Sequence, residues 1–150
     1  MRNSNTETRQ LTKAERPKRA IIFTRARSLP RDTAQEFAQL AAQERYCHQV
    51  AKSLKAEAVK VYVVHGGTTD PGTRRIVEGL LREIERGGVD YVIAQSLDRL
   101  ARRPCDVARI VEKLTAAEAR FVTTADPAEA FLQDVSLFFL VAKVRERRAA

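Results

Sequence analysis

Short apolar runs alternate with longer helix-like segments along this chain, and this alternation constrains the fold more than any other feature of the sequence. Four runs are rich in β-branched or aromatic residues, as buried strands are, and they lie at residues 20–24, 59–64, 91–94 and 119–123. Strands that alternate with helices are joined by right-handed crossovers. The pattern therefore predicts a three-layer α/β/α domain with a mainly parallel sheet of four to five strands.

The segments between and after these runs show the periodicity of helices. Apolar residues recur at helical spacing in four segments, namely residues 33–54, 74–86, the stretch from Pro104 and the stretch from Pro127 to the basic end. Thr33 is suited to cap the first of these helices, and Pro104 suits the first turn of the third. Residues 65–73 (HGGTTDPGT) combine glycine, proline and short polar side chains, which predicts a mobile loop.

The 150 residues are enough for one hydrophobic core, and the charge is concentrated at the two ends. We expect a flexible basic arm at residues 1–19, the main domain at 20–126 and a long C-terminal helix at 127–150. Of the net charge of +8, residues 1–19 carry +4 and residues 143–150 carry +3. Basic arms of this kind neutralise phosphates, although basic termini can also be merely solvated.

Several protein classes are disfavoured by the same sequence. No apolar run reaches the length of a membrane span, and the N-terminus lacks the apolar core of a secretory signal. The two cysteines, Cys47 and Cys105, match no metal-ligand spacing, and few cysteines are typical of a reducing compartment. We therefore expect a cytoplasmic protein without a membrane partner or a structural metal.

Arginines gather at the carboxyl ends of the predicted strands, where α/β proteins form their sites. The three segments concerned are Arg25 to Ser28, Arg74–Arg75, and Asp98–Arg99 with Arg102. Guanidinium groups offer planar forks to phosphate oxygens and stay charged, so converging arginines suit a phosphodiester under attack. Asp98 could orient an arginine or handle a proton. The alternative is a set of solvated arginines with an ordinary surface ion pair, worth about 0–1 kcal/mol.

Three of these stretches together resemble the catalytic domain of serine recombinases, the resolvases and invertases. Residues 21–28 (IIFTRARS) resemble the opening strand of that family, in which an aromatic residue precedes x-Arg-x-Ser. Gln43 and Cys47 resemble its helix with a glutamine and often a cysteine. The most specific match is Ser-Leu-Asp-Arg-Leu-x-Arg at residues 96–102, and the resemblance covers residues 20–144.

The resemblance implies a fold, a reaction and roles for individual residues. Arg25, Arg74, Arg99 and Arg102 would bind phosphate and stabilise the transition state, with Asp98 as the acidic partner near the nucleophile. A serine hydroxyl would attack a DNA phosphodiester and form a 5′-phosphoserine link, without a metal or nucleotide cofactor. The partners would be DNA and further copies of the chain, as a dimer or tetramer. The final helix would mediate dimerisation or pack on its own domain.

The nucleophile position departs from the family pattern. Two residues after Arg25 stands Arg27 instead of serine, and Ser28 follows it, so a one-residue bulge would be needed to present the hydroxyl. The sequence also ends at Ala150 without the helix-turn-helix module of the family. The readings left open are a recombinase that uses Ser28, a catalytically inactive DNA-binding or oligomerisation module that modulates an intact recombinase, and a separate phosphoryl-transfer enzyme.

Overall fold

All four predicted strands form, and the segments between them fold into helices that cover the sheet. The computed structural model describes residues 16–26 and 33–124. In chain order the elements are β1 (Lys18–Ala26), α1 (Thr33–Ser53), β2 (Ala56–His65), α2 (Pro71–Glu85), β3 (Tyr91–Ala94), α3 (Pro104–Ala116) and β4 (Arg120–Thr123). A short 3₁₀ turn, Leu97–Arg99, lies between β3 and α3. Residues 1–15 of the predicted arm, the segment with Arg27 and Ser28, and the helix predicted from Pro127 lie outside the described residues.

The strand order is β2-β1-β3-β4, and every pair is parallel. The chain first places β2 on one side of β1 and then crosses to the other side to add β3. This reversal opens a crevice beyond the carboxyl ends of β1 and β3, which is where open α/β sheets bind their ligands. The prediction of a parallel α/β fold is confirmed, with four strands in the part of the chain that the structure describes.

Alternate residues of β1 face opposite layers of the domain, as the twofold period of a strand requires. Ala20 and Ile22 pack in the cluster that contains Cys47 of α1, whereas Ile21 and Phe23 pack against α2 and α3. All five side chains are fully buried. Each fully buried Ile or Phe contributes roughly 1.5–3 kcal/mol, so β1 is held at the centre of the domain from both faces.

The first strand is longer at both ends than its apolar run predicts. Pairing with β2 runs from Lys18 opposite Ala56 to Ala26 opposite His65. The backbone ladder includes polar residues whose side chains do not signal a strand, because pairing requires only the main-chain groups. Arg25 therefore lies within β1 rather than in the loop after it, and its side chain is buried.

Helix α2 begins three residues before the predicted start, so the glycine-rich loop is shorter than expected. Pro71 occupies the first turn, where its missing N–H costs no hydrogen bond. Asp70 precedes it in an extended conformation, and the Asp70 carbonyl accepts a hydrogen bond from the Arg74 amide at 3.0 Å. The turn between β2 and α2 is thus confined to residues 66–70.

The end of the predicted basic arm is attached to the domain. Arg16 donates two hydrogen bonds of 3.2 Å to the Asp90 carboxylate and one of 3.1 Å to the Gly88 carbonyl. The Arg19 amide donates to the same carboxylate at 2.9 Å. Residues 16–19 therefore lie against the segment that leads into β3. No helix in the described part of the chain is long and apolar enough to cross a bilayer.

Candidate active site

One arginine side chain joins the end of β1 to the two loops that meet it at the crevice. Arg25 is 1% exposed, and its guanidinium donates hydrogen bonds to three backbone carbonyls. Nη1 donates to Gly66 at 3.0 Å, Nη2 to Asp98 at 3.3 Å, and Nε to Arg99 at 2.8 Å. Hydrogen bonds from a charged donor are about twice as strong as neutral ones. The end of β1 is thereby attached to the turn after β2 and to the loop after β3.

The main chain of Arg25 is held by an amide side chain from α1. The Arg25 amide donates to Gln43 Oε1 at 3.1 Å, and Gln43 Nε2 donates back to the Arg25 carbonyl at 3.0 Å. Gln43 is buried. Strand β3 ends at Ala94, opposite Phe23, so β3 does not extend far enough to pair with Arg25. The glutamine amide takes the place of a neighbouring strand there.

Arg99 is the partly buried guanidinium of the site. Its Nη1 donates to the Arg25 carbonyl at 3.2 Å, and its Nη2 donates to Gln95 Oε1 at 2.7 Å. Its Nε is buried and has no hydrogen-bond partner among the described residues. A guanidinium has five N–H donors, so Arg99 is fixed in position and still has donors for a ligand.

Asp98 is exposed beside these arginines. Its carboxylate accepts a hydrogen bond from the Ser96 hydroxyl, and its carbonyl accepts one from Arg25. The 3₁₀ turn that carries both Asp98 and Arg99 is closed by the Arg99 amide, which donates to the Ser96 carbonyl at 3.2 Å. A carboxylate and a hydroxyl therefore stand at the solvent side of the crevice.

Arg74 and Arg102 are exposed at the same edge of the sheet. Arg74 lines a cavity of about 140 Å³ between α2 and α3, together with Thr68 and Ala101. Arg102 follows Ala101 directly in the chain. Arg74 therefore lines the same cavity as the residue that precedes Arg102.

The turn after β2 depends on a glycine. Gly66 has a φ of +129°, which side-chain-bearing residues rarely adopt. A Cβ on Gly66 would lie 2.4 Å from Asp70 Oδ2, and that same oxygen accepts a hydrogen bond from the Gly67 amide at 2.9 Å. The absence of a side chain lets Asp70 close the turn that presents the Gly66 carbonyl to Arg25.

The predicted site residues divide into three groups in the structure. Arg25, Asp98 and Arg99 are in direct contact, Arg74 and Arg102 are exposed nearby, and Ser28 lies outside the described residues. Arg25 is buried, whereas Arg74, Asp98 and Arg102 are exposed. No cluster of potential metal ligands occurs within residues 16–26 and 33–124.

Three further residues of the site were not predicted as such, namely Gln43, Gln95 and Ser96. Gln43 lies three residues after Leu40 and four before Cys47, both buried, so helical spacing places a polar side chain on the core face of α1. A polar side chain at a core position needs a hydrogen-bond partner, so this position indicates a specific role for Gln43. Gln95 and Ser96 are polar residues that directly follow the buried strand β3. The same position after a strand indicates Asp98 as a candidate site residue.

The Cys47 thiol, one turn of α1 beyond Gln43, is unsuited to nucleophilic chemistry. Burial, together with the negative charge of Glu44, raises the pKa of the Cys47 thiol from its ordinary value to about 12. A thiol attacks only as the thiolate, so at neutral pH this group acts as a core side chain.

Comparison with known proteins identifies related sequences and folds. A family model described as the resolvase N-terminal domain matches residues 20–147. No curated protein matches the chain. Among solved structures, the N-terminal catalytic domain of TP901-1 integrase is similar with a TM-score of 0.66 and 22% identity, over 88% of this chain and 98% of that one.

Two further solved structures are similar to this chain, with slightly lower TM-scores and sequence identities. A resolvase family site-specific recombinase from Streptococcus pneumoniae has a TM-score of 0.60 and 19% identity, over 88% of this chain and 91% of its own. The C-terminal catalytic domain of ISC1926 TnpA, an IS607-like serine recombinase, has a TM-score of 0.59 and 19% identity, over 88% of this chain and 99% of its own. At these identities the structural matches establish the shared fold.

Proposed function

The chain belongs to the resolvase N-terminal domain family, and on this premise we propose that it breaks and rejoins DNA strands in site-specific recombination with Ser28 as the nucleophile. The observation that supports this best is the assembly around Arg25, which brings the end of β1, the turn after β2 and the loop after β3 together in the crevice. Ser28 follows Ala26, the last residue of β1, by two positions in the chain.

The proposed reaction exchanges one phosphodiester for another. The Ser28 hydroxyl oxygen forms a bond to a DNA phosphorus while the bond from phosphorus to the 3′ oxygen breaks. The serine proton passes to a base, and the leaving 3′ oxygen gains a proton. A 3′ hydroxyl of the recombining strand then attacks the phosphoserine, releases Ser28 and completes the exchange. Because the covalent link conserves the bond energy, the cycle needs no nucleotide.

The exposure of each arginine determines whether it would contact the phosphate or position the loops. Arg99 is held by two hydrogen bonds with donors to spare, and Arg74 and Arg102 are exposed at the same edge, so these three would contact the phosphate oxygens. Fixed positive groups aimed at developing charge are the usual source of such stabilisation. Arg25 has its guanidinium on three carbonyls and would position the loops instead. Asp98 would orient Ser28 or accept its proton.

Membership of this family implies DNA binding and oligomerisation in general. We extend this to a homodimer or tetramer that associates through residues 127–150, and to DNA contacts by the basic ends of the chain. A separate recombinase subunit would be one source of sequence-specific binding. The scarcity of cysteines fits a cytoplasmic location.

The experiment is a search for a covalent protein–DNA adduct. The protein is incubated with nicked suicide duplexes whose central sequence is randomised, and adducts are separated on a denaturing gel. We expect an adduct that Ser28→Ala abolishes and that Arg99→Ala slows by at least ~100-fold, the usual range for loss of a transition-state donor. Ser96→Ala is the control for the identity of the nucleophile: it should still form the adduct, although the loss of its hydrogen bond to Asp98 can lower the rate.

Two results would overturn the assignment of Ser28. An adduct that survives in the Ser28→Ala variant would place the nucleophile elsewhere. The complete absence of an adduct, with DNA binding intact and salt-dependent, would favour the inactive module, which the presence of Arg27 at the expected serine position also suggests.

A further inference from the structure

The last residues of β1 have different neighbours on their two sides. The Gly66 amide donates to the Ala26 carbonyl, so the main-chain groups of Ala26 face β2. Because these groups alternate along a parallel strand, the N–H and C=O of Arg25 face the β3 side. There β3 has already ended at Ala94. Both groups are buried, and an unpaired buried peptide group costs about 1–3 kcal/mol.

Gln43 fits this gap because a primary amide has a donor and an acceptor side by side. Its Oε1 and Nε2 form a closed pair with the Arg25 N–H and C=O at 3.1 and 3.0 Å, as a neighbouring peptide would. Of the side chains, only glutamine and asparagine offer this pair without having to take up a proton, and asparagine is one methylene shorter. Gln43 thereby holds the last peptide of β1 before the strand ends at Ala26.

The same carbonyl also fixes Arg99. The Arg25 oxygen accepts from Gln43 Nε2 at 3.0 Å and from Arg99 Nη1 at 3.2 Å, so the amide and the guanidinium converge on one atom. If that carbonyl moves, Arg99 loses one of its two anchors. Ser28 follows Arg25 by three residues, so the same peptide also sets where the nucleophile segment begins.

We propose that Gln43 is a positioning residue for strand cleavage, which acts through the Arg25 peptide to align Arg99 with the start of the nucleophile segment. The inference rests on the proposed recombinase function and adds to it a residue of α1 that touches neither DNA nor the reacting atoms. Its hydrogen bonds to Arg25 can nevertheless be tested without any DNA.

Two substitutions separate the hydrogen bonds of Gln43 from its volume. Gln43→Met keeps the length of the side chain and removes both hydrogen bonds. Gln43→Glu, measured at a pH at which the new carboxyl group is ionised, keeps an acceptor for the Arg25 amide but has no donor for the Arg25 carbonyl. Gln39→Met is the control, because Gln39 is an exposed residue of the same helix.

The first measurement follows the Arg25 amide and the Arg99 Nε–H by nitrogen NMR of the full chain. In Gln43→Met, the Arg25 amide should exchange with solvent at least ~10-fold faster, while buried Ile22 stays protected. In Gln43→Glu the Arg25 amide should remain protected. The Arg99 Nε–H signal should shift in both variants, because in both the shared carbonyl loses its amide donor. Unchanged Arg25 exchange in Gln43→Met would overturn the proposal.

The second measurement is the rate of adduct formation on the suicide duplexes. Both Gln43 variants should be slowed by ~10-fold or more at saturating DNA, with DNA affinity within about threefold of the Gln39→Met control. A slowing fully accounted for by the unfolded fraction, read from a denaturant curve, would reduce Gln43 to a core residue and overturn the proposal. If the wild-type chain forms no adduct, the recombinase assignment fails, whereas the NMR arm still decides whether Gln43 fixes Arg25 and Arg99.

Discussion

Replacing Gly66 by alanine tests whether the turn after β2 holds the site together. The new Cβ would lie 2.4 Å from Asp70 Oδ2, a distance that real Cβ atoms do not tolerate, and Gly66 has a φ of +129°. The Asp70 carboxylate must move away, and the Gly67 amide then loses its acceptor. The Gly66 carbonyl, which accepts from Arg25, is carried by the same peptide segment.

The magnitude follows from two separate costs. A residue with a side chain held in this backbone region costs about 1–3 kcal/mol. Loss of a hydrogen bond to a carboxylate costs about 1.5–3 kcal/mol, less here because the Gly67 amide can turn to water. We expect Gly66→Ala to lower the free energy of unfolding by about 3 kcal/mol. For a domain of this size, that corresponds to a melting temperature lower by roughly 6–12 °C.

Urea denaturation followed by circular dichroism measures this difference. Gly67→Ala is the matched control, because a Cβ on Gly67 would approach Asp70 no closer than 4.0 Å and the amide is retained. Its free energy of unfolding should stay within about 0.5 kcal/mol of the wild type. Equal stability of the two variants would refute the role of Gly66.

Three further predictions concern the rest of the domain. Native protein should take up one thiol label at pH 8, on exposed Cys105, because burial raises the pKa of the Cys47 thiol to about 12; two labels in native protein, by mass spectrometry, would contradict this. Asp90→Ala should cost about 2–4 kcal/mol in urea denaturation, since the buried carboxylate accepts three hydrogen bonds, and a cost below 1 kcal/mol would refute that. The hydrogen bond from Arg109 lowers the pKa of Glu78, so this pair adds stability above the ordinary carboxyl pKa of 4.5 and loses it as the pH falls. Arg109→Ala should raise the pKa of Glu78 in an NMR titration and, since both groups are largely exposed, should change stability little; an unmoved pKa would exclude the contact.

The sequence predicts the parts of the fold that depend on side-chain burial. The four apolar runs became the four strands, and the helical periodicity located α1, α2 and α3 within a few residues. The ends were less predictable, because a strand end depends on which backbone groups find a partner. Lys18 and Arg25 belong to β1 because β2 lies beside them, and their side chains do not reveal that.

The part of the candidate site that lies in one short motif, residues 96–102, could be predicted from the sequence. Asp98 and Arg99 follow a buried strand directly, so their place at the sheet edge follows from the parallel topology. The burial of Arg25 could not be predicted, because its guanidinium partners are carbonyls 41, 73 and 74 residues away in the chain. Gln43 could be predicted in part. Its spacing in α1 indicates a polar side chain on the core face of the helix, but the sequence does not indicate which group it binds.

The most direct test of the proposed function is the identity of the residue that becomes linked to DNA. Adducts from the wild-type chain can be digested with nuclease and trypsin, and the modified peptide sequenced by mass spectrometry. We expect a phosphoester on Ser28, joined to the 5′ end of the cleaved strand. A phosphoester on Ser96 or any other side chain, or DNA binding without any linked peptide, would contradict it.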